Sequence, residues 1–285
     1  MPLIRIAGGS ERHPLWGQAK PAQYDLLEAQ AAMRDNAERL GIDSSKITLL
    51  SPLWEKAGNL FDLTGLTGVP TTNTAWTTNG IKNTAAGGGV GFAGGSDKIA
   101  GATELTVLQT VVANSQGIGT LYGHSCSSDN YTQANLGFGN TSGRFYCYFS
   151  GTGVGGSFNY TSELYGQPVN IVGRWKDGET NGTQLWVNGV NTDSGTAAVE
   201  LVGPGVFYVG NRTAYVRTWD GEIRLTTVIE QALSANQILQ FNETPYALLE
   251  PRPYRYISIP AGVTSIPTLS SASFAGRVPS VTLGY

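Results

Sequence analysis

Cysteine is nearly missing from this chain: its 285 residues hold two, Cys126 and Cys147, far apart and without a CxxC pair. That excludes a disulfide framework and a zinc site built on paired thiolates. The two thiols could meet across a hairpin, but two free thiols suit a cytoplasmically made protein better. Charge is scarce too, 14% of residues against roughly 25% in an average soluble protein, which argues against a long charged tail. Eighteen Lys and Arg against 21 Asp and Glu leave a net charge of −3 and no basic cluster. A nucleic-acid binder would need a basic stripe to replace the phosphate counterions, so that partner class is set aside. No apolar run approaches the ~18 residues of a membrane helix, so membrane insertion is not expected either. The first ten residues contain no hydrophobic stretch of signal-peptide length, and the expectation is a soluble protein made in the cytoplasm.

What the chain does have is glycine, 38 residues without a collagen period, together with 40% hydrophobic and 10% aromatic residues. Many tight turns around a real core point to an all-β protein. Three zones can be separated. Residues 1–50 carry the long helical pattern: Pro21 suits a first helical position and Gly41 a left-handed end, with Leu26, Gln30, Met33, Ala37 and Leu40 along one face. That narrow stripe could pack on the chain's own domain or on a neighbouring subunit.

Residues 51–250 read as strand after strand. Along Glu104–Val112, Leu105, Val107 and Val111 alternate with Thr106, Leu108, Thr110 and Val112, the pattern of a strand buried on both faces. Further strands are expected at Gly117–Gly123, Ala134–Gly139, Arg144–Phe149, Val169–Trp175, Gln184–Val187, Val206–Val209 and Glu222–Ile229. Asp177-Gly178, Asn188-Gly189 and Asp220-Gly221 supply turns. Ser234 and Gln237 form a capping box for a late short helix. With no helices between the strands, a parallel α/β sheet is excluded. Residues 251–285 are punctuated by Pro251, Pro253, Pro260, Pro267 and Pro279, which suits an extended arm that adds edge strands or wraps a neighbour.

The middle zone resembles a laminin-G-like, concanavalin-A-like jelly roll. "GVGFAGGSDKIAG" (Gly89–Gly101) is similar to that family's strand carrying Phe92, Gly94 and Asp97. "NIVGRWKDGETNGTQLWVNGV" (Asn170–Val190) is similar to its Trp-ended hairpin. "FYVGNR" (Phe207–Arg212) and "WDGEIRLTTVIEQALSANQI" (Trp219–Ile238) are similar to its closing segment. The fold expected is therefore an all-β, antiparallel two-sheet jelly-roll sandwich with an N-terminal helical segment and a Pro-rich C-terminal β arm. "ALLEPRP" after the late helix and the tail "SIPTLSSASFAGRVPSVTLGY" resemble the versions of this domain in tailed-bacteriophage virion proteins. The resemblance implies a virion protein, with itself and other virion proteins as partners and a homo-oligomer as its state. Host-surface glycans are its expected ligand, through a tail fibre or baseplate. A capsid decoration or head-fibre protein and a free-standing carbohydrate-binding module are the alternatives.

Catalysis on such a sandwich would need two facing carboxylates. The nearest acidic pairs, Asp177/Glu179 and Asp220/Glu222, sit in or beside predicted turns, so no catalytic residue and no enzyme are expected. With His13 and His124 the chain's two histidines, a nucleophile–histidine arrangement has little to draw on. The family's usual occupation, glycan recognition, places aromatic faces against sugar C–H groups and amides or guanidiniums on hydroxyls. Two polar-aromatic loops offer this: Tyr122, His124, Asp129, Asn130 and Tyr131 in one, Asn211, Arg212, Tyr215, Arg217 and Trp219 in the other. Trp175 and Trp186 are expected in the core or on a sheet face. No cofactor is required. Calcium is the one ion the resemblance admits, with Asp97 and Asp129 as its candidate ligands.

Overall fold

The computed structural model describes residues 25–115, 117–118, 123–128, 138–141, 144–147, 157–159, 164–196, 205–212 and 217–251. Helix α1 (Leu26–Arg39) leads into β1 (Ile47–Ser51), β2 (Leu60–Phe61), β3 (Thr67–Pro70), β4 (Thr74–Trp76), β5 (Ile81–Asn83) and β6 (Val90–Ala93). The long β7 (Glu104–Ala113) is followed by β8 (Gly123–Ser128), β9 (Phe138–Thr141), β10 (Arg144–Tyr146) and β11 (Ser157–Asn159). Then come β12 (Pro168–Lys176), β13 (Thr183–Val187), β14 (Val190–Gly195), β15 (Val206–Val209), β16 (Gly221–Ile229) and α2 (Ala235–Glu243).

The strands form two antiparallel sheets. One has the order β14-β13-β12-β7-β16-β5-β4, with β1 also pairing β16; the other runs β11-β10-β9-β8-β15-β6-β3-β2. This is the expected all-β, two-sheet jelly-roll sandwich. The chain divides into two units, Met1–Pro251 and Arg252–Tyr285. The second, the expected C-terminal arm, lies outside the described residues.

The centre of the first sheet is β7, flanked by β12 and β16 along its whole length. Leu105, Val107 and Val111 point between the sheets, where they meet Phe92, Trp175, Phe207, Trp219 and Ile223. Leu108 points the other way, into a second core with Val172, Leu225, Ile229, Met33 and Phe241. The two-sided alternation in the sequence thus reflects two apolar layers, one between the sheets and one under the helices.

Helix α1 belongs to that second layer. Asp25 caps it by accepting from Leu27 N and Glu28 N, so it begins at Leu26, five residues after the expected first position at Pro21. Its buried face is Ala29, Ala32, Met33, Asn36 and Ala37: Met33 and Ala37 of the expected stripe lie on it and Leu40 packs beside it, whereas Leu26 is exposed and Asn36 donates to the Glu250 carbonyl at 3.0 Å. Gly41 ends it at φ +67. The helix therefore packs within the chain, and β1, running from residue 47 to 51, crosses the expected zone boundary at residue 50. Ser234 and Gln237 form the expected capping box on α2, and Gln237 Nε2 also donates to Leu40 O and Gly41 O at the end of α1.

Strand β8 corrects the expectation around residue 124. Residues 117–118 are not strand, whereas Gly123–Ser128 is, with a bulge between His124 and Cys126. Cys126 stands opposite Phe138 on β9, and Tyr146, on the far side of β9, stands opposite Gly139. Cys147 thus lies two strand spacings from Cys126, about 10 Å, beyond the ~7 Å limit of a disulfide. The structure has none between these two buried thiols.

Turn chemistry follows the sequence closely. Asn188 (φ 49) and Gly189 (φ +77) make the two-residue hairpin turn between β13 and β14. Gly221 (φ +142) opens β16 where a Cβ would stand 1.8 Å from the Val112 carbonyl oxygen. Gly178 (φ +63) has open space around it. Gly221→Ala is expected to cost roughly 3 kcal/mol or more, and Gly178→Ala about 1 kcal/mol. Urea unfolding of the two variants measures this. Equal losses would mean that β16 does not approach β7 as described.

Candidate functional site

Four of the sequence-selected residues, His124, Asn211, Arg212 and Trp219, lie inside the protein where β8, β15 and the start of β16 meet. Asn211 follows β15 and is fully buried. Its side-chain oxygen accepts from Arg212 N and Arg217 N, both at 2.8 Å. Its amide donates to Thr218 Oγ1 at 2.9 Å and to the Gly88 carbonyl. Two donors and two lone pairs are all that this side chain possesses, and each is used within the protein. Asn211 therefore closes the neck of the loop between Arg212 and Arg217.

Neighbouring groups extend the same network. Trp219 is buried, with Nε1 donating to Val112 O at 3.0 Å. Asn83 Nδ2 donates to Gly210 O (2.8 Å) and Trp219 O (3.1 Å). Thr218 Oγ1 accepts from Gly87 N. Between the sheets, Gln109 on β7 donates to Thr226 Oγ1 (2.9 Å) and Ser125 O (3.2 Å), and Ser125 Oγ donates back to Gln109 Oε1 (2.6 Å). The β8 bulge turns Ser125 toward this bridge, while the Ser125 carbonyl also accepts from Gly210 N.

His124 is 1% exposed, and its backbone N–H donates to Arg217 O at 2.9 Å. Burial pushes its imidazole down to about 3, and the positive charges of Arg212 and Arg217 act in the same direction. It is a neutral residue at physiological pH. Burial also lowers the Arg212 guanidinium from its usual range, with Arg217 adding to the effect.

Four of the expected glycan contacts therefore need correction. His124, Asn211, Arg212 and Trp219 are 0–4% exposed and face the interior, so in this state they offer no sugar-binding surface. Polar and aromatic composition was the signal that selected them. The competing demand was closure of a sandwich end, where buried polar groups must find partners. Tyr122, Asp129, Asn130, Tyr131 and Tyr215 lie outside the described residues. Arg217 is half-buried at the loop neck. Of the two tryptophans expected in the core or on a sheet face, Trp175 is fully buried and Trp186 partly so.

The acidic candidates are likewise engaged. Asp97 is exposed, and its Oδ1 accepts from Gly205 N at 2.7 Å, fixing the loop into β15. Asp129, the other candidate calcium ligand, is outside the described residues. Among the described residues, no three of His, Cys, Asp and Glu come together in a way that could hold a metal ion. Glu222 accepts from Thr77 Oγ1 and pairs with Arg224 Nε at 2.6 Å. Glu179 pairs with Arg174 through both oxygens (3.0 and 3.3 Å). A cavity between β7, β12, β16 and α2, lined by Leu108, Thr110, Asn170, Val172, Phe241 and Pro245, has about 10 Å³, the room of one water molecule.

No family model matches the chain, and no curated protein is significantly similar to it. Solved structures do share its fold. Trypanosoma rangeli sialidase superposes with a TM-score of 0.55 at 11% identity, over 77% of this chain and 38% of the sialidase chain. A mutant of that enzyme displaying trans-sialidase activity gives 0.58 at 11%, over 78% and 38%. The botulinum neurotoxin serotype D/C binding domain gives 0.52 at 10%, over 70% and 52%. The chain thus spans about two fifths of the sialidases and about half of the toxin chain. At such identities the likeness concerns the fold alone.

The neutral His124 has a measurable consequence. An unfolded histidine takes up its proton near 6.5, the folded one near 3. The stabilisation is complete above pH 6.5 and is lost as pH falls toward 3. Between pH 6.5 and 5, before most carboxylates titrate, stability should fall by up to about 1.4 kcal/mol per pH unit. In His124→Gln that slope should disappear; urea midpoints measured across this range in both proteins read it, and parallel slopes would refute it. Asn211→Ala, which leaves the buried Arg212 N–H and the loop neck without their acceptor, should cost about 2–4 kcal/mol at any of these pH values.

Proposed function

We propose that this chain is a non-enzymatic surface component of a tailed-bacteriophage particle, whose jelly-roll sandwich attaches to host-surface glycans as part of a tail fibre or baseplate. One observation carries the non-enzymatic half. Four of the described side chains that the sequence offers as an acid or base are instead engaged in the fold. Glu222 is tied to Thr77 and Arg224, Glu179 to Arg174, Asp97 to the Gly205 amide, and His124 is buried and neutral. Removing any of them from its partner to do chemistry would cost the stability it now provides.

Attachment is supported by what remains. The sequence between residues 122 and 131 and between 211 and 219 supplies Tyr122, Asp129, Asn130, Tyr131 and Tyr215, the aromatic and amide groups that sugars are recognised by. The fold occurs both in a sialidase and in a neurotoxin binding domain, and the second is the better analogue of a module that only attaches. The virion assignment rests on the resemblance of "ALLEPRP" and the Pro-punctuated tail, and brings with it homo-oligomerisation and other virion proteins as partners. Calcium, with Asp97 and Asp129 as its candidate ligands, would be an accessory to this attachment.

Purified full-length chain is expected to bind host-surface polysaccharide without releasing reducing sugar. Tyr131→Ala with Tyr215→Ala should weaken binding at least tenfold while leaving the melting temperature unchanged. Isothermal titration and a reducing-sugar assay, each with and without calcium, measure both halves. Sugar release lost on Glu222→Gln would overturn the reading in favour of a glycan-degrading enzyme.

A further inference from the structure

Strand β16 enters the first sheet with polar side chains on its outer face that the fold does not use up. Glu222 stands directly opposite Lys82 of β5, and the next pair, Ile223 opposite Ile81, turns into the core between the sheets. Alternation therefore puts Glu222 and Lys82 together on the outer face. Arg224 occupies the register shift between Ile223 and Leu225, and its Nε donates to Glu222 Oε2 at 2.6 Å on that same side. Tyr246 belongs to the second apolar layer with Leu225, near enough for the charges of Arg224 and Glu222 to act on its hydroxyl. Lys82, Glu222, Arg224 and Tyr246 thus share one surface at the margin of that layer.

The arrangement is held from behind. In the turn between β4 and β5, Thr77 Oγ1 accepts from Asn79 N (3.2 Å) and Gly80 N (2.9 Å) and donates to Glu222 Oε1. Gly80 presses so closely on β16 that a Cβ there would stand 2.0 Å from the Ile223 carbonyl oxygen. With one oxygen on Thr77 and the other on Arg224, the Glu222 carboxylate is fixed, and it orients the guanidinium in turn. The side chains of Glu222 and Arg224 are only 16% and 23% exposed, so little freedom remains to be lost on binding.

What these groups leave over is donors. Arg224 is held through Nε, and no hydrogen bond among the described residues takes the N–H groups of its terminal nitrogens. The Lys82 side chain is exposed and pairs with neither Glu222 nor Asp220. The Tyr246 hydroxyl makes no hydrogen bond among the described residues. Burial pushes it up to about 12, with Glu222 adding to the effect and Arg224 opposing it, so it keeps its proton. A guanidinium fork, an ammonium and a phenol O–H without a matching acceptor call for a ligand that brings oxygen and negative charge.

We propose that Lys82, Arg224 and Tyr246 form a binding site for an oxyanion, a carboxylate or a phosphate, with the Arg224 fork on two of its oxygens and Glu222 and Thr77 as positioning residues. Resting on the attachment reading above, this makes the host glycan an acidic one, bearing uronic acid or phosphate groups. A charged polymer repeats the oxyanion along its length, so a weak single site gains by effective concentration.

NMR titration of the full-length chain with glucuronate, glucose 6-phosphate and glucose tests the site. The charged sugars should bind at least tenfold more tightly than glucose, and the tighter of the two identifies the oxyanion. Lys82→Glu should weaken them at least tenfold with the melting temperature unchanged, because the Lys82 side chain holds nothing in the fold. Arg224→Lys, which keeps the charge and loses the fork, should weaken them at least fivefold. Equal affinity for glucose, or charged-sugar binding unchanged in both variants, would overturn the proposal. Host polysaccharide then separates the site from the attachment reading. Polysaccharide binding lost in Lys82→Glu supports both. Polysaccharide binding retained in Lys82→Glu removes the acidic glycan from this site and leaves attachment to other side chains. Charged-sugar binding without any polysaccharide binding keeps the site and overturns attachment.

Discussion

Two sheets that close face to face must find partners for most of the polar atoms caught between them, because an unpaired buried group costs as much as several apolar contacts contribute. This sandwich meets that demand with a small set of amides and hydroxyls at the meeting of β7, β8, β15 and β16. Gln109, Ser125 and Thr226 bridge the sheets directly. Asn83 and Asn211 then secure Gly88, Gly210 and the return toward β16, and Trp219 seals the end with an indole N–H on the Val112 carbonyl. The apolar core around Trp175 and Phe92 could be assembled from many combinations of side chains of similar volume. The polar closure could not, since each donor there answers one particular acceptor.

That closure has an electrostatic price. It holds a neutral histidine beside Arg212 and Arg217, an arrangement stable only while the imidazole carries no proton. The second apolar layer adds a further constraint. Because Leu108, Val172, Leu225 and Ile229 are covered by α1, α2 and the Ala247–Leu249 turn, the outer face of β7, β12 and β16 is committed to packing.

Much of this fold could be read from the residues. The alternation along Glu104–Ala113, the Asn188-Gly189 turn and the Ser234–Gln237 capping box each have a local physical cause that tertiary context reinforces. Where the reading departed from the structure, a long-range contact had won. The start of α1 was set by Asp25, and its buried face by the reach of Asn36 to Glu250, more than two hundred residues away. Strand β8, rich in Ser and lacking hydrophobic alternation, resembles a loop in composition. Its strand character comes from pairing with β15 and from the Gln109 bridge, and neither is visible in a seven-residue window.

The same cause explains why the candidate site was harder to read than the fold. A sugar-binding loop and a closing clamp draw on the same residues, since Asn, Arg, Tyr and Trp recognise hydroxyls and backbone amides by the same hydrogen bonds. What separates the two roles is saturation. A clamp such as Asn211 has no donor or lone pair left to offer, and the distinction depends on Gly88, Thr218 and Arg217 being folded around it. Composition can nominate a polar-aromatic loop, but only the count of unfilled hydrogen-bonding positions can assign it to a ligand. By that count Asn211 and Trp219 are clamps, and the attachment proposed above would have to use side chains other than these.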